Sequence, residues 1–176
     1  MKLMRIALLA GGMLLALPLH AEIVDIDNAE LERLVAAGVP LVDVRTAAEW
    51  EESGIVPASR LLTFFDAQGH ADPAAWLERV RRVADPTKPV ALICRSGNRT
   101  RAVSEILSNT AGYQKVYNVR AGIKGWIGEG RPVVPARTAL AGCAPDSLCG
   151  SPRPAEETLI KFPPFGLSPS TSLRTG

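Results

Sequence analysis

Residues 90–101 read Val90-Ala91-Leu92-Ile93-Cys94-Arg95-Ser96-Gly97-Asn98-Arg99-Thr100-Arg101. The first four are continuously apolar, as a strand covered on both faces should be. Val103, Ile106 and Leu107 then recur at helical spacing until Gly112, which can end the helix. Cys94 therefore falls where a strand C-terminus meets a helix N-terminus, the place where sites gather in open α/β sheets. A loop containing Gly97 can turn successive backbone N–H groups inward as an anion nest, and the helix start adds its positive end. Arg95, Arg99 and Arg101 add local positive charge. Such surroundings favour the thiolate, the nucleophilic form of cysteine, with no histidine base required. A buried structural thiol is the bland alternative. Three arginines and a glycine between residues 95 and 101 argue for the reactive one.

Working outward, apolar runs alternate with helix-start signals, the pattern of a parallel sheet covered by helices. Ile23–Ile26 is a short strand. Asp27 with Glu30 forms an N-cap pair, and Leu31, Leu34 and Val35 give a helical face that Gly38 can close. Leu41–Val44 is a second strand. Thr46 and Glu49 repeat the capping-box spacing and predict a short helix over 47–52 before Gly54. Asp72 followed by Pro73 opens a helix carrying Trp76, Leu77, Val80 and Val83. Val116–Val119 reads as a further strand and 123–128 as a short helix. Trp50 and Trp126 are expected in the core. Phe64 and Phe65 either wall the site or divide between core and surface.

The ends differ from this middle. Residues 1–21 have a basic start, an apolar run from Ile6 to Leu17, Pro18 and the small residue Ala21, the order of a secretory signal peptide. A run of about a dozen apolar residues falls short of the roughly 20 that a bilayer needs, so no stable membrane anchor is expected after cleavage. The mature chain would then work outside the cytoplasm, in the periplasm of a Gram-negative source. At the other end, eight of the 14 prolines lie within the last 45 of the 176 residues. Residues 136–176 are therefore expected to be an irregular or disordered tail, leaving 22–135 as the domain.

Composition closes off several function classes. The chain has 20 Lys+Arg and 18 Asp+Glu; without Lys2 and Arg5 of the leader the balance is 18 − 18 = 0. A neutral protein has no overall attraction for nucleic acid or an anionic membrane. His20 leaves with the leader and His70 alone remains, so a Cys–His protease pair is not indicated.

The stretch Cys94-Arg95-Ser96-Gly97-Asn98-Arg99 resembles the C-R-x-G-x-R active-site loop of single-domain rhodanese sulfurtransferases. Two flanking elements agree. Asp43-Val44-Arg45, with Glu49 and Trp50 after it, is similar to that family's D-V-R-x-x-x-E-[FYW] element, and Gly122-Ile123-Lys124-Gly125-Trp126 resembles its late glycine-and-tryptophan element. The resemblance spans about residues 23–134 and implies an α/β, rhodanese-like fold: a five-stranded parallel sheet with helices on both faces. It implies that Cys94 takes sulfur from a small anionic donor such as thiosulfate, becomes a persulfide, and passes the sulfur to cyanide or a thiol, including a protein thiol. Arg95 and Arg99 would orient the donor, and the N–H groups from Ser96 to Thr100, through Gly97 and Asn98, would cradle the sulfur. Among the supporting residues Asp43, Arg45 and Glu49, an ion pair of Arg45 with Glu49 is the expected brace. No cofactor is implied.

Two features depart from the family pattern. Gly54-Ile55-Val56-Pro57-Ala58-Ser59 stands where relatives often show G-H-I-P-G-A, and Ala121 replaces the first glycine of the late element. The loop spacing separates competing chemistries. Phosphatases and arsenate reductases of similar loop use C-x5-R, whereas Cys94 and Arg99 give C-x4-R, a smaller cradle suited to a sulfur atom. A non-catalytic module of the same type, binding sulfide, a thiol or a protein, is the other reading. In the tail, Cys143 and Cys149 are candidates for a local disulfide in an oxidising compartment, or for exchange with Cys94. Two cysteines with no histidine close by do not make a metal site.

Overall fold

In the computed structural model, residues 22–141 are described. The stretch 1–21 read as a signal peptide, the cysteine pair Cys143 and Cys149, and the expected irregular tail from residue 142 onward lie outside them.

Asp27 accepts a hydrogen bond from the Glu30 N–H at 2.8 Å and starts α1 (Asn28–Ala36), directly after β1 (Glu22–Ile26). After β2 (Leu41–Asp43), the reciprocal capping box of Thr46 and Glu49 starts α2 (Ala47–Ser53). The edge strand β3 (Ser59–Leu61) follows. Asp72 then caps α3 (Pro73–Val80), whose first residue is the proline that needs no amide partner there. Next come β4 (Val90–Ile93), α4 (Asn98–Thr110), β5 (Lys115–Val119), α5 (Gly122–Gly128) and α6 (Ala136–Ala141).

The strands pair in the order β1-β5-β4-β2-β3, every pair parallel, so β4 is central and all strand C-termini lie along one edge. Helices cover both faces, as parallel strands require. On one face Val42, Val90, Leu92 and Val116 pack against Trp76, Leu77 and Val80 of α3 and Val103 and Leu107 of α4. On the other, Leu41, Ala91, Ile93 and Val119 meet Leu31 of α1 and Ile123 and Trp126 of α5. Trp50 and Trp126 are both buried, and Phe64 enters the core against Trp76 while Phe65 stays partly buried beside it.

Three local expectations change. β3 carries no usable apolar pattern: Ser59 and Leu61 are buried around the exposed Arg60, and only pairing with β2 makes the segment a strand. The helix α3 ends at Val80, and Val83 reaches the core from the turn that follows. The domain boundary expected after Pro135 is crossed by α6. Its Ala136 is buried with Trp50, Ile55 and Leu61, and an antiparallel bridge from Val134 to Ile55 fixes its approach.

Candidate active site

Cys94 follows the last residue of β4, so its backbone position comes from the most buried strand of the sheet, and the residue is only 1% exposed. The loop then turns sharply. Gly97 adopts φ +88°, and a Cβ there would lie 2.2 Å from the Arg120 carbonyl oxygen. Gly122, with φ +56°, approaches the same loop from the β5–α5 turn, where a Cβ would lie 2.5 Å from the Arg95 carbonyl. Both positions therefore need glycine for conformation and for space. The close approach lets the N–H groups of Ile123 and Lys124 donate to the carbonyls of Cys94 and Arg95, at 2.9 and 3.1 Å. With its carbonyls satisfied from outside, the loop leaves its N–H groups facing inward.

The Gly97 N–H donates to the Cys94 sulfur at 3.1 Å, and the Thr100 hydroxyl lies 3.5 Å from it. Burial pushes the thiol up, but the Thr100 hydroxyl and the backbone N–H groups of Thr100, Ser96 and Gly97 outweigh it, so Cys94 ends below the ordinary cysteine value. Of the N–H run expected from Ser96 to Thr100, that of Gly97 bonds the sulfur at 3.1 Å, and those of Ser96 and Thr100 lower the thiol with it. Asn98 is exposed at the first position of α4.

The arginines divide in an unexpected way. Arg99 is held by Glu49 in a two-point ion pair of 2.8 and 2.5 Å. That guanidinium, chiefly through its hydrogen bonds, lowers the Glu49 carboxyl to about 2, and Glu49 in turn raises Arg99. The brace expected between Arg45 and Glu49 is therefore corrected. Arg45 is buried to 1% and binds the Asp43 carboxylate at 2.7 and 3.0 Å; of Glu49 it touches only the backbone carbonyl. The capping box explains the exchange. Glu49 bends back to the Thr46 N–H at 3.1 Å, which presents its carboxylate to α4. Arg45 runs beneath α2 to its far end, reaching Ser53 at 2.6 Å and the Gly54 carbonyl at 2.8 Å. Arg101 turns away from the loop to pair with Asp25 of β1. Arg95 is exposed and has no ion-pair partner among the described residues.

Two open clefts, of about 310 and 500 Å³, share Arg95 and Glu49 as walls. His70 is engaged with Asp66, 3.3 Å away, and is no base for Cys94. Sequence reasoning missed one buried polar residue. Asn118 of β5, 1% exposed, accepts from the Thr100 hydroxyl at 2.6 Å. An amide between Tyr117 and Val119 near the end of the strand was the only signal for it.

Residues 27–129 match the rhodanese-like domain family. Thiosulfate sulfurtransferase 18 of Arabidopsis thaliana is 30% identical over 118 residues, covering 64% of this chain and 84% of its own length. A solved structure from M. tuberculosis is similar with a TM-score of 0.52 at 23% identity, over 64% of this chain and 96% of that one. A thiosulfate sulfurtransferase from Pseudomonas aeruginosa gives 0.52 at 21% identity, over 64% of this chain and 20% of that one. At these identities the two structures speak for the fold. The three sequence elements, the parallel sheet and the match over residues 27–129 agree, and the chain belongs to the rhodanese-like domain family.

Proposed function

We propose that the protein is a sulfurtransferase that carries sulfur as a Cys94 persulfide. The observation that carries this reading is the Cys94 sulfur held under inward N–H groups and a hydroxyl, with the next residue, Arg95, exposed and without an ion-pair partner among the described residues. The Cys94 thiolate attacks the outer sulfur of thiosulfate. A Cys94 S–S bond forms, the sulfur–sulfur bond of the donor breaks, and sulfite leaves with the electron pair. The persulfide carries its charge on the outer sulfur, where loop N–H donors stabilise it. Cyanide or a thiolate then takes that sulfur, and the electron pair returns to Cys94 as thiolate.

Because Glu49 holds Arg99, donor orientation falls to Arg95, and Arg99 braces the loop against α2. Arg95→Ala is expected to raise KM for thiosulfate about tenfold with a smaller change in kcat. An unchanged KM would remove Arg95 from the donor site.

The deciding experiment loads the full chain with thiosulfate, follows intact mass, and then adds cyanide and measures thiocyanate. A one-sulfur gain on Cys94, discharged repeatedly and lost in Cys94→Ser, is the expected result. The near-complete burial of Cys94 favours one competing reading, a binding module of the same fold. Such a module would take up sulfur once and stop. The leader-like residues 1–21 support an extracytoplasmic, periplasmic setting, which fractionation of the expressed full chain would test through the mass of the exported form.

A further inference from the structure

Thr100 is the one side-chain hydroxyl within hydrogen-bond reach of the Cys94 sulfur among the described residues, and it has a single proton to give. That proton has three acceptors around it: the sulfur at 3.5 Å, the Gly97 carbonyl at 2.9 Å and the Asn118 Oδ1 at 2.6 Å. The Gly97 carbonyl already receives the Arg101 N–H at 3.1 Å, which weakens its claim. Among the described residues Asn118 has no such second donor at Oδ1. Its amide is also fixed in orientation, because Nδ2 donates at 2.7 Å to the Asp25 carboxylate, which can only accept. Asp25 stands directly across from Asn118 in the β1–β5 register, and Arg101 holds its other oxygen. The carbonyl oxygen of Asn118 must therefore face Thr100.

We propose that Asn118, oriented by Asp25, is a positioning residue that draws the Thr100 hydroxyl proton away from the Cys94 sulfur and so sets where the nucleophile ionises. With Cys94 as the thiol, Thr100 donates to Asn118 and offers its lone pair to the S–H. As the sulfur becomes thiolate, the hydroxyl rotates and donates to it. In the persulfide the charge sits on the outer sulfur, and the proton returns to Asn118. The inference rests on Cys94 being the nucleophile, but it concerns ionisation, which can be read without any sulfur transfer.

In the Asn118→Leu arm of the test the charged groups near the loop stay in place: Arg95, Arg99 with Glu49, Arg45 with Asp43, and Arg101 with Asp25. The test follows alkylation of Cys94 by iodoacetamide in the full chain across pH, resolved by peptide mass so that Cys143 and Cys149 do not contribute. Asn118→Leu removes the competing acceptor. Its profile is expected to move to lower pH, with the rate at pH 6 rising about threefold, since a lower pKa raises the thiolate fraction while trimming its nucleophilicity. Asp25→Ala, a surface change, frees the amide to rotate and also releases Arg101; it is expected to move the profile the same way, and the part that needs Thr100 is the part carried by the amide. In a Thr100→Val background the Asn118→Leu shift should vanish and the Asp25→Ala shift should shrink. Profiles that do not move, or that move equally without Thr100, overturn the proposal. A parent chain that turns over no sulfur while these shifts hold would overturn the sulfurtransferase reading instead.

Discussion

Glu49 closes the N-terminus of α2 with its capping box and holds Arg99 across 50 residues of sequence. Its carboxyl is lowered from 4.5 to about 2, chiefly by the Arg99 hydrogen bonds. A depressed folded-state value means that the pair stabilises the fold fully above pH 4.5, and that this contribution is lost as pH falls from there towards 2. Partial solvent exposure reduces it to about 1–2 kcal/mol. Glu49→Gln is therefore expected to be less stable than the parent by that amount at pH 7, with the gap narrowing in acid. Urea unfolding at pH 7 and pH 3 checks this; a gap that is constant with pH would remove the ion pair as its cause. A buried pair behaves differently. Arg45 and Asp43 are 1% and 0% exposed, so removing one partner strands the other's charge. Arg45→Leu is expected to cost about 3–5 kcal/mol, and the double variant Asp43→Leu/Arg45→Leu to recover much of it. The urea midpoints of the two variants decide, and equal losses would contradict a charge-based cost.

Between elements, the contact that shapes the site is the one between the loop after β4 and the turn before α5. Gly97 and Gly122 allow it, and two hydrogen bonds from the N–H groups of Ile123 and Lys124 hold it. Gly122→Ala would place a Cβ 2.5 Å from the Arg95 backbone at a positive φ. The loop must then lift, turning its N–H groups off the sulfur. The expected result is a loss of about 2 kcal/mol in stability together with slower Cys94 alkylation at neutral pH. Unchanged alkylation in a folded variant would show that the approach of α5 does not shape the sulfur site.

For the molecule as a whole, α6 and the Val134–Ile55 bridge cover the β3 side of the sheet, where Ala136 closes a small cluster with Trp50, Ile55 and Leu61. Trp50 belongs to α2, so this cover also backs the element that presents Glu49. A chain ending after Gly130 is expected to be about 2 kcal/mol less stable than one ending after Ala141, from apolar surface returned to water. Equal thermal midpoints would make α6 an ornament of the domain.

The sequence by itself determined the order of most elements, the parallel α/β character and the place of Cys94. Each of those is encoded in contiguous residues: caps three positions apart, apolar runs, and a glycine beside the nucleophile. Tertiary structure decided the rest. It made a strand of Ser59–Leu61, gave Arg99 to Glu49 and Arg45 to Asp43, and brought Asn118 to Thr100 with Asp25 behind it, 93 residues away in sequence. A charged or amide side chain has several chemically equivalent partners along a chain. Which one it meets depends on strand order and on the direction each helix presents, and neither is written in its own neighbourhood.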